Sequence, residues 1–152
     1  MHPLQLLAAA ANQIRRLLLA KDFIDRDHGR TWSSRMNFNQ FKSSAFKAVQ
    51  KDDGAFADLL DSWNAIRQPN AKGKKGKKAA SSDLLLAKNP KSPFPVFQTL
   101  KKADAFSLDA LTAAIAALSA TDRKMKSTGQ APRLLLEAFL IKFCRQAKRD
   151  SW

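Results

Sequence analysis

The sequence predicts an all-α fold, an array of five or six helices with a disordered basic loop, and three observations carry that expectation. No segment sustains the period-two alternation of a half-buried strand. β-Branched residues are scarce. Apolar residues recur three and four positions apart in blocks bounded by Pro, Ser, Gly or charged turns, the punctuation of helix starts and stops.

The first block opens at Pro3, which suits the first helical turn because its missing N–H is not needed there. Good helix formers continue to about Ile24, and Leu4, Leu7, Ala11, Ile14 and Leu18 define one face. DRDHGRT then breaks the pattern, with Gly29 as the expected stop. A second helix is expected over Met36 to Gln50, with Phe38, Phe41, Ala45 and Val49 as its stripe. KDDG should end it, and AFADLLDSWNAI should form a third helix anchored by Phe56, Leu59, Leu60 and Trp63.

From Gln68 to Ser82 the chain reads QPNAKGKKGKKAASS, where like charges, glycines and the lack of large apolar residues predict a mobile loop. Order should resume near Leu84. NPKSPFP places Ser92 as a cap and Pro93 at the first position of a fourth helix running to about Ala105. Ser107 caps a fifth, with Asp109 near its positive end, and this helix should stop near Gly129. Pro132 begins the sixth, RLLLEAFLIKFCRQAKR, which is apolar nearly all round and so is expected at the centre of the fold. The 152 residues then make a single helical domain with a lysine-rich insertion at about 68–83.

Composition narrows the function classes. Lys and Arg outnumber Asp and Glu by 27 to 13, and the formal charge of +14 points to an acidic partner, whether nucleic acid, an anionic surface or an acidic protein. Cys144 is the only cysteine, so no intrachain disulfide or thiolate cluster can form, and its apolar helix points to core packing. The N-terminal run LQLLAAAANQIRRLLLA is broken by Asn12, Gln13, Arg15 and Arg16, too polar for a membrane span. It also lacks a signal-type basic segment, so a cytoplasmic location with no membrane partner is expected. Starting almost inside a helix, the chain reads as a piece of something longer.

The inventory for catalysis is empty. His2 and His28 fall in a terminus and a loop, with no clustered Cys/His pattern, so no catalytic group, metal or cofactor is expected. DRDHG reads as a solvated turn, because consecutive ligands fix no coordination geometry. KGKKGKK lacks the spacing of a phosphate-cradling loop. Its Lys72, Lys74, Lys75, Lys77 and Lys78 could contact nucleic-acid phosphates without sequence preference or serve only as a solubilising linker.

One polar residue interrupts an apolar seam. Leu108, Leu111, Ile115 and Leu118 lead in helical steps to Asp122 and Met125. Two readings stand open: Asp122 pairs with Lys126 one turn on at the surface, or it is buried and braced by Arg15 or Arg16, whose forks suit a carboxylate. These four residues are the candidate structural or interface set.

Together the segments resemble the C-terminal region of the delta subunit of the bacterial DNA polymerase III clamp loader. The likeness rests on Pro93 to Phe97, Phe106 to Leu108, Asp122 to Lys126 with Met125 as the apolar position, and Arg133 to Glu137. HPLQLLAAAANQIRRLLLAK is similar to that family's first collar helix. Between Asp25 and Asn89 the likeness is loose, and the lysine-rich loop looks like an insertion. The resemblance implies a non-catalytic collar domain that joins delta to the ATP-hydrolysing motor subunits and to delta-prime in a five-membered ring. It has no nucleotide site, and without the family's two preceding domains it cannot open the sliding clamp by the usual route. On the same resemblance, Asp122 and Lys126 would brace the turn into the last helix or face a neighbour. The alternative is a free-standing helical domain that binds nucleic acid nonspecifically.

Overall fold

The computed structural model describes residues 2–67, 84–127 and 131–149. The elements are α1 (Pro3–Asp25), a 3-10 turn (Asp27–Thr31), α2 (Phe38–Ser43), α3 (Ala45–Arg67), α4 (Pro93–Ala103), α5 (Leu108–Ser127) and α6 (Pro132–Arg149). No strand occurs among the described residues, as an all-α fold requires. The chain divides into two compact units, Met1–Asp22 with Thr99–Trp152, and Phe23–Gln98.

The second unit is built on aromatic rings. Phe41 is fully buried, with Trp32, Phe46 and Phe97 around it at centroid distances of 5.3 to 5.8 Å. Phe38 meets Phe97 edge-on and links this cluster to the exposed Phe94. Such contacts add to the burial of each ring. The α2 helix begins at Asn37, whose side chain accepts from Gln40 N–H at 2.9 Å while Gln40 Oε1 accepts from Asn37 N–H at 3.1 Å. This reciprocal cap sets the start two residues later than spacing alone predicts.

Two expected boundaries are corrected here. The expected second helix is split, because the Ser43 and Ser44 hydroxyls both donate to the Gln40 carbonyl, at 2.9 and 2.8 Å, and the backbone leaves helical geometry at Ser44. The expected stop at KDDG does not occur: α3 runs through Lys51 to Gly54 without interruption. One glycine costs a helix only about 1 kcal/mol, which packing of the preceding turns offsets.

Asp53, in the middle of α3, has a structural task. Its carboxylate accepts the backbone N–H of Leu86 at 3.0 Å and of Ala87 at 2.6 Å, fastening the segment before α4. Gln50 adds a bond from Nε2 to the Pro90 carbonyl at 3.0 Å. Burial pushes the Asp53 carboxyl above its usual range, with Asp52 adding to the rise and the two N–H donors working against it.

Gly29 does not end α1. It lies buried in the 3-10 turn, folded back so closely on the Phe23 and Ile24 carbonyls that a Cβ there would overlap both. The expected anchors of the third helix are also corrected, since Leu59 and Trp63 are exposed and Phe56 and Leu60 only half-buried. Nothing among the described residues covers that end of α3.

In the first unit α5 packs on α6. Ser107 Oγ accepts the Ala110 N–H at 3.1 Å, the expected cap of α5, and Asp109 lies in its first turn. Leu111, Ala114 and Leu118 form its buried seam, and α6 contributes Leu136 and Phe139. Pro93 and Pro132 occupy the first helical positions of α4 and α6 as expected. The central placement expected for α6 is overturned: Leu134, Leu140 and Ile141 are exposed. Cys144 is exposed too, and so is not a core residue.

Candidate protein interface

The apolar stripe of α1 divides in two. Leu7 and Ile14 are buried, while Leu4 is exposed and Ala11 and Leu18 are half-buried; Leu17, outside the expected stripe, is buried instead of Leu18. Leu4, Leu7, Ala8 and Ala11 form one wall of a groove of about 570 Å³, and Ile115 and Leu118 of α5 form the other. Asn12, Arg15, Ser119, Asp122 and Lys126 make its polar rim. Apolar floor with polar rim is the pattern of a protein-binding surface.

This geometry accounts for the carboxylate in the seam. The buried line of α5 runs through Leu111, Ala114 and Leu118, so Leu108, Ile115 and Asp122, seven apart, form its flank. Asp122 stands at the groove edge with its side chain one-third exposed (33%), and its Oδ2 accepts from Lys126 Nζ at 2.7 Å. Among the described residues no ion pair joins Asp122 to Arg15 or Arg16. Arg15 shares the rim with Asp122 and Lys126, whereas Arg16 is half-buried and does not line the groove.

A second surface lies on α6. Leu134 and Ile141 are 65% and 57% exposed, seven residues and so two turns apart, with the exposed Ala138 between them. At the start of the helix Arg133 Nε donates to Glu137 Oε1 at 2.8 Å, which keeps both charges paired beside the apolar row. These residues escaped the sequence reading as surface groups. A helix apolar on every side can be covered by its own chain or by another chain, and spacing does not distinguish the two.

Other sequence candidates fall elsewhere. Lys72, Lys74, Lys75, Lys77 and Lys78 lie outside the described residues. In DRDHG, Asp27 pairs with Arg30 at 3.0 Å on an open surface, in keeping with a solvated turn. Among the described residues no group of three His, Cys, Asp or Glu could hold a metal ion.

Residues 75–143 match the family model described as DNA polymerase III delta subunit, C-terminal domain. Over this delta segment, a little under half of the chain, the sequence is similar to that family. The delta segment takes in α4, α5 and most of α6, together with Pro93 to Phe97, Phe106 to Leu108, Asp122 to Lys126 and Arg133 to Glu137. Both the second wall of the groove and the exposed row of α6 therefore lie on the delta segment, whereas α1 falls outside it. The match begins inside the lysine-rich stretch that reads as an insertion. That similarity supports a clamp loader role in DNA replication. No curated protein and no solved structure matches the chain. No single helix among the described residues is long and apolar enough to cross a membrane.

Proposed function

We propose that the chain is a non-catalytic collar domain of a clamp loader delta subunit, holding it to the motor and delta-prime subunits in the cytoplasm. The observation that carries this reading is the uncovered row on α6, Leu134 and Ile141, within the delta segment. Large apolar side chains exposed two turns apart on a helix are what a permanent interface presents when its partner is removed, because such interfaces resemble a core cut in half. The α1–α5 groove, with Arg15, Asp122 and Lys126 on its rim, offers a further contact surface. In the collar reading the two compact units act as one domain, and the lysine-rich stretch is an accessory.

The competing reading, nonspecific nucleic-acid binding, draws on the +14 charge and on Lys72 to Lys78. Salt separates the two. Collar assembly rests on apolar faces and should persist when salt is raised and when Lys72, Lys74, Lys75, Lys77 and Lys78 are replaced by Gln. Binding to DNA should weaken steeply under both changes. If association with the clamp loader subunits were itself lost on adding salt, or with the five Gln substitutions, the collar reading would fail.

A further inference from the structure

A second groove, of about 410 Å³, runs between α5 and α6. One wall is made of alanines, Ala113, Ala114 and Ala117, and the other of Phe139 and Phe143. The small residues give the groove its depth. Phe143 is held in place by stacking on Phe106 at 4.8 Å and by the parallel ring of Phe139 at 6.1 Å. The floor is therefore apolar and one wall is fixed by packed rings.

Its polar lining has a single sign. Among the described residues Lys142 and Arg145 border the groove, both exposed, and no carboxylate does so. Neither cation takes part in an ion pair among the described residues. In contrast, the α1–α5 groove carries Asp122 on its rim. Helical geometry also separates the two sides of α6, since Leu134 and Ile141 point roughly opposite to Phe139 and Phe143. An occupant of the α5–α6 groove would leave the Leu134–Ile141 row free.

We propose that this groove docks an acidic amphipathic peptide segment of a partner protein, with a large apolar side chain between the alanine wall and the phenylalanine rings and carboxylates against Lys142 and Arg145. Nucleic acid is a poorer fit. Phosphates would use the two cations but leave the apolar floor uncovered, whereas an acidic segment with apolar anchors satisfies both. The site lies beyond the collar reading and does not depend on it.

The test is to pan a random-peptide display library against the full 152-residue chain. Selected peptides are then measured by fluorescence anisotropy against three proteins: the unaltered chain, Ala117→Trp, and the double variant Lys142→Glu with Arg145→Glu. All three positions are exposed, and circular dichroism and thermal melting should show that both variants remain folded. The expected result is enrichment of sequences that pair Asp or Glu with Leu, Phe or Trp, binding at least about tenfold weaker to each variant. Labelled single-stranded DNA should not displace them. Peptides without acidic enrichment, equal binding to the variants, or displacement by DNA would each overturn the proposal.

Discussion

The Lys126 ammonium donates to the Asp122 carboxylate across one helical turn at 2.7 Å, at the open edge of the α1–α5 groove. A pair so placed is screened by water and contributes little to stability, on the scale of about 0.3 to 0.5 kcal/mol. Asp122→Ala should therefore change the unfolding free energy by no more than about 0.5 kcal/mol in urea titration. A loss of about 3 kcal/mol or more would instead indicate a buried brace.

Asp53 should behave otherwise. Replacing it by Ala leaves the Leu86 and Ala87 N–H groups without their acceptor in a buried segment, at a cost of about 1 to 3 kcal/mol. The pH dependence has a definite sign. Because the folded carboxyl titrates above its ordinary value of 3.8, the folded state holds this proton more tightly than the unfolded chain. Its contribution is fully present below 3.8 and is lost as pH rises through the raised folded value. The stability advantage of the unaltered chain over Asp53→Asn should thus shrink as pH rises through that window. An advantage that grows with pH would contradict the assignment.

The two described glycines should respond in opposite ways. Gly54 lies in α3 with open space where a Cβ would stand, so Gly54→Ala should stabilise by about 0.5 to 1 kcal/mol. At Gly29 the added methyl would run into the Phe23 and Ile24 carbonyls, so Gly29→Ala should destabilise by about 1 to 3 kcal/mol. Matching signs in denaturant titrations would refute the placement of one of them.

Phe41 is ringed by Trp32, Phe46 and Phe97 and fully buried. Phe41→Ala should cost about 3 to 5 kcal/mol, while the same change at the exposed Phe94 should cost far less.

Much of this architecture is legible in the sequence where a residue acts through its own backbone. Pro93, Pro132 and Ser107 start helices by local chemistry, and each does so in the structure. The errors arise where a distant partner or a competing bond decides. Asp53 and Gly54 look like a turn, but the Asp53 carboxylate serves a segment more than thirty residues away. Ser43 and Ser44 look neutral, yet their hydroxyls take the Gln40 carbonyl and break the helix. For Asp122 the spacing leaves a surface pair with Lys126 and a buried brace both open, and the structure holds the surface pair. The exposed face of α6 was not, because Leu134 and Ile141 carry the same apolar chemistry whether the chain or its partner covers them.

That face decides the central claim. Size-exclusion chromatography with light scattering, on the chain mixed with the motor and delta-prime subunits from the same source, measures assembly directly. Collar function predicts co-elution in a complex of defined mass that persists at raised salt. It also predicts that Leu134→Asp with Ile141→Asp abolishes co-elution while the isolated chain stays as stable as before. Separate elution of the folded, unaltered chain, or a complex indifferent to both substitutions, would contradict the claim that α6 is a subunit interface.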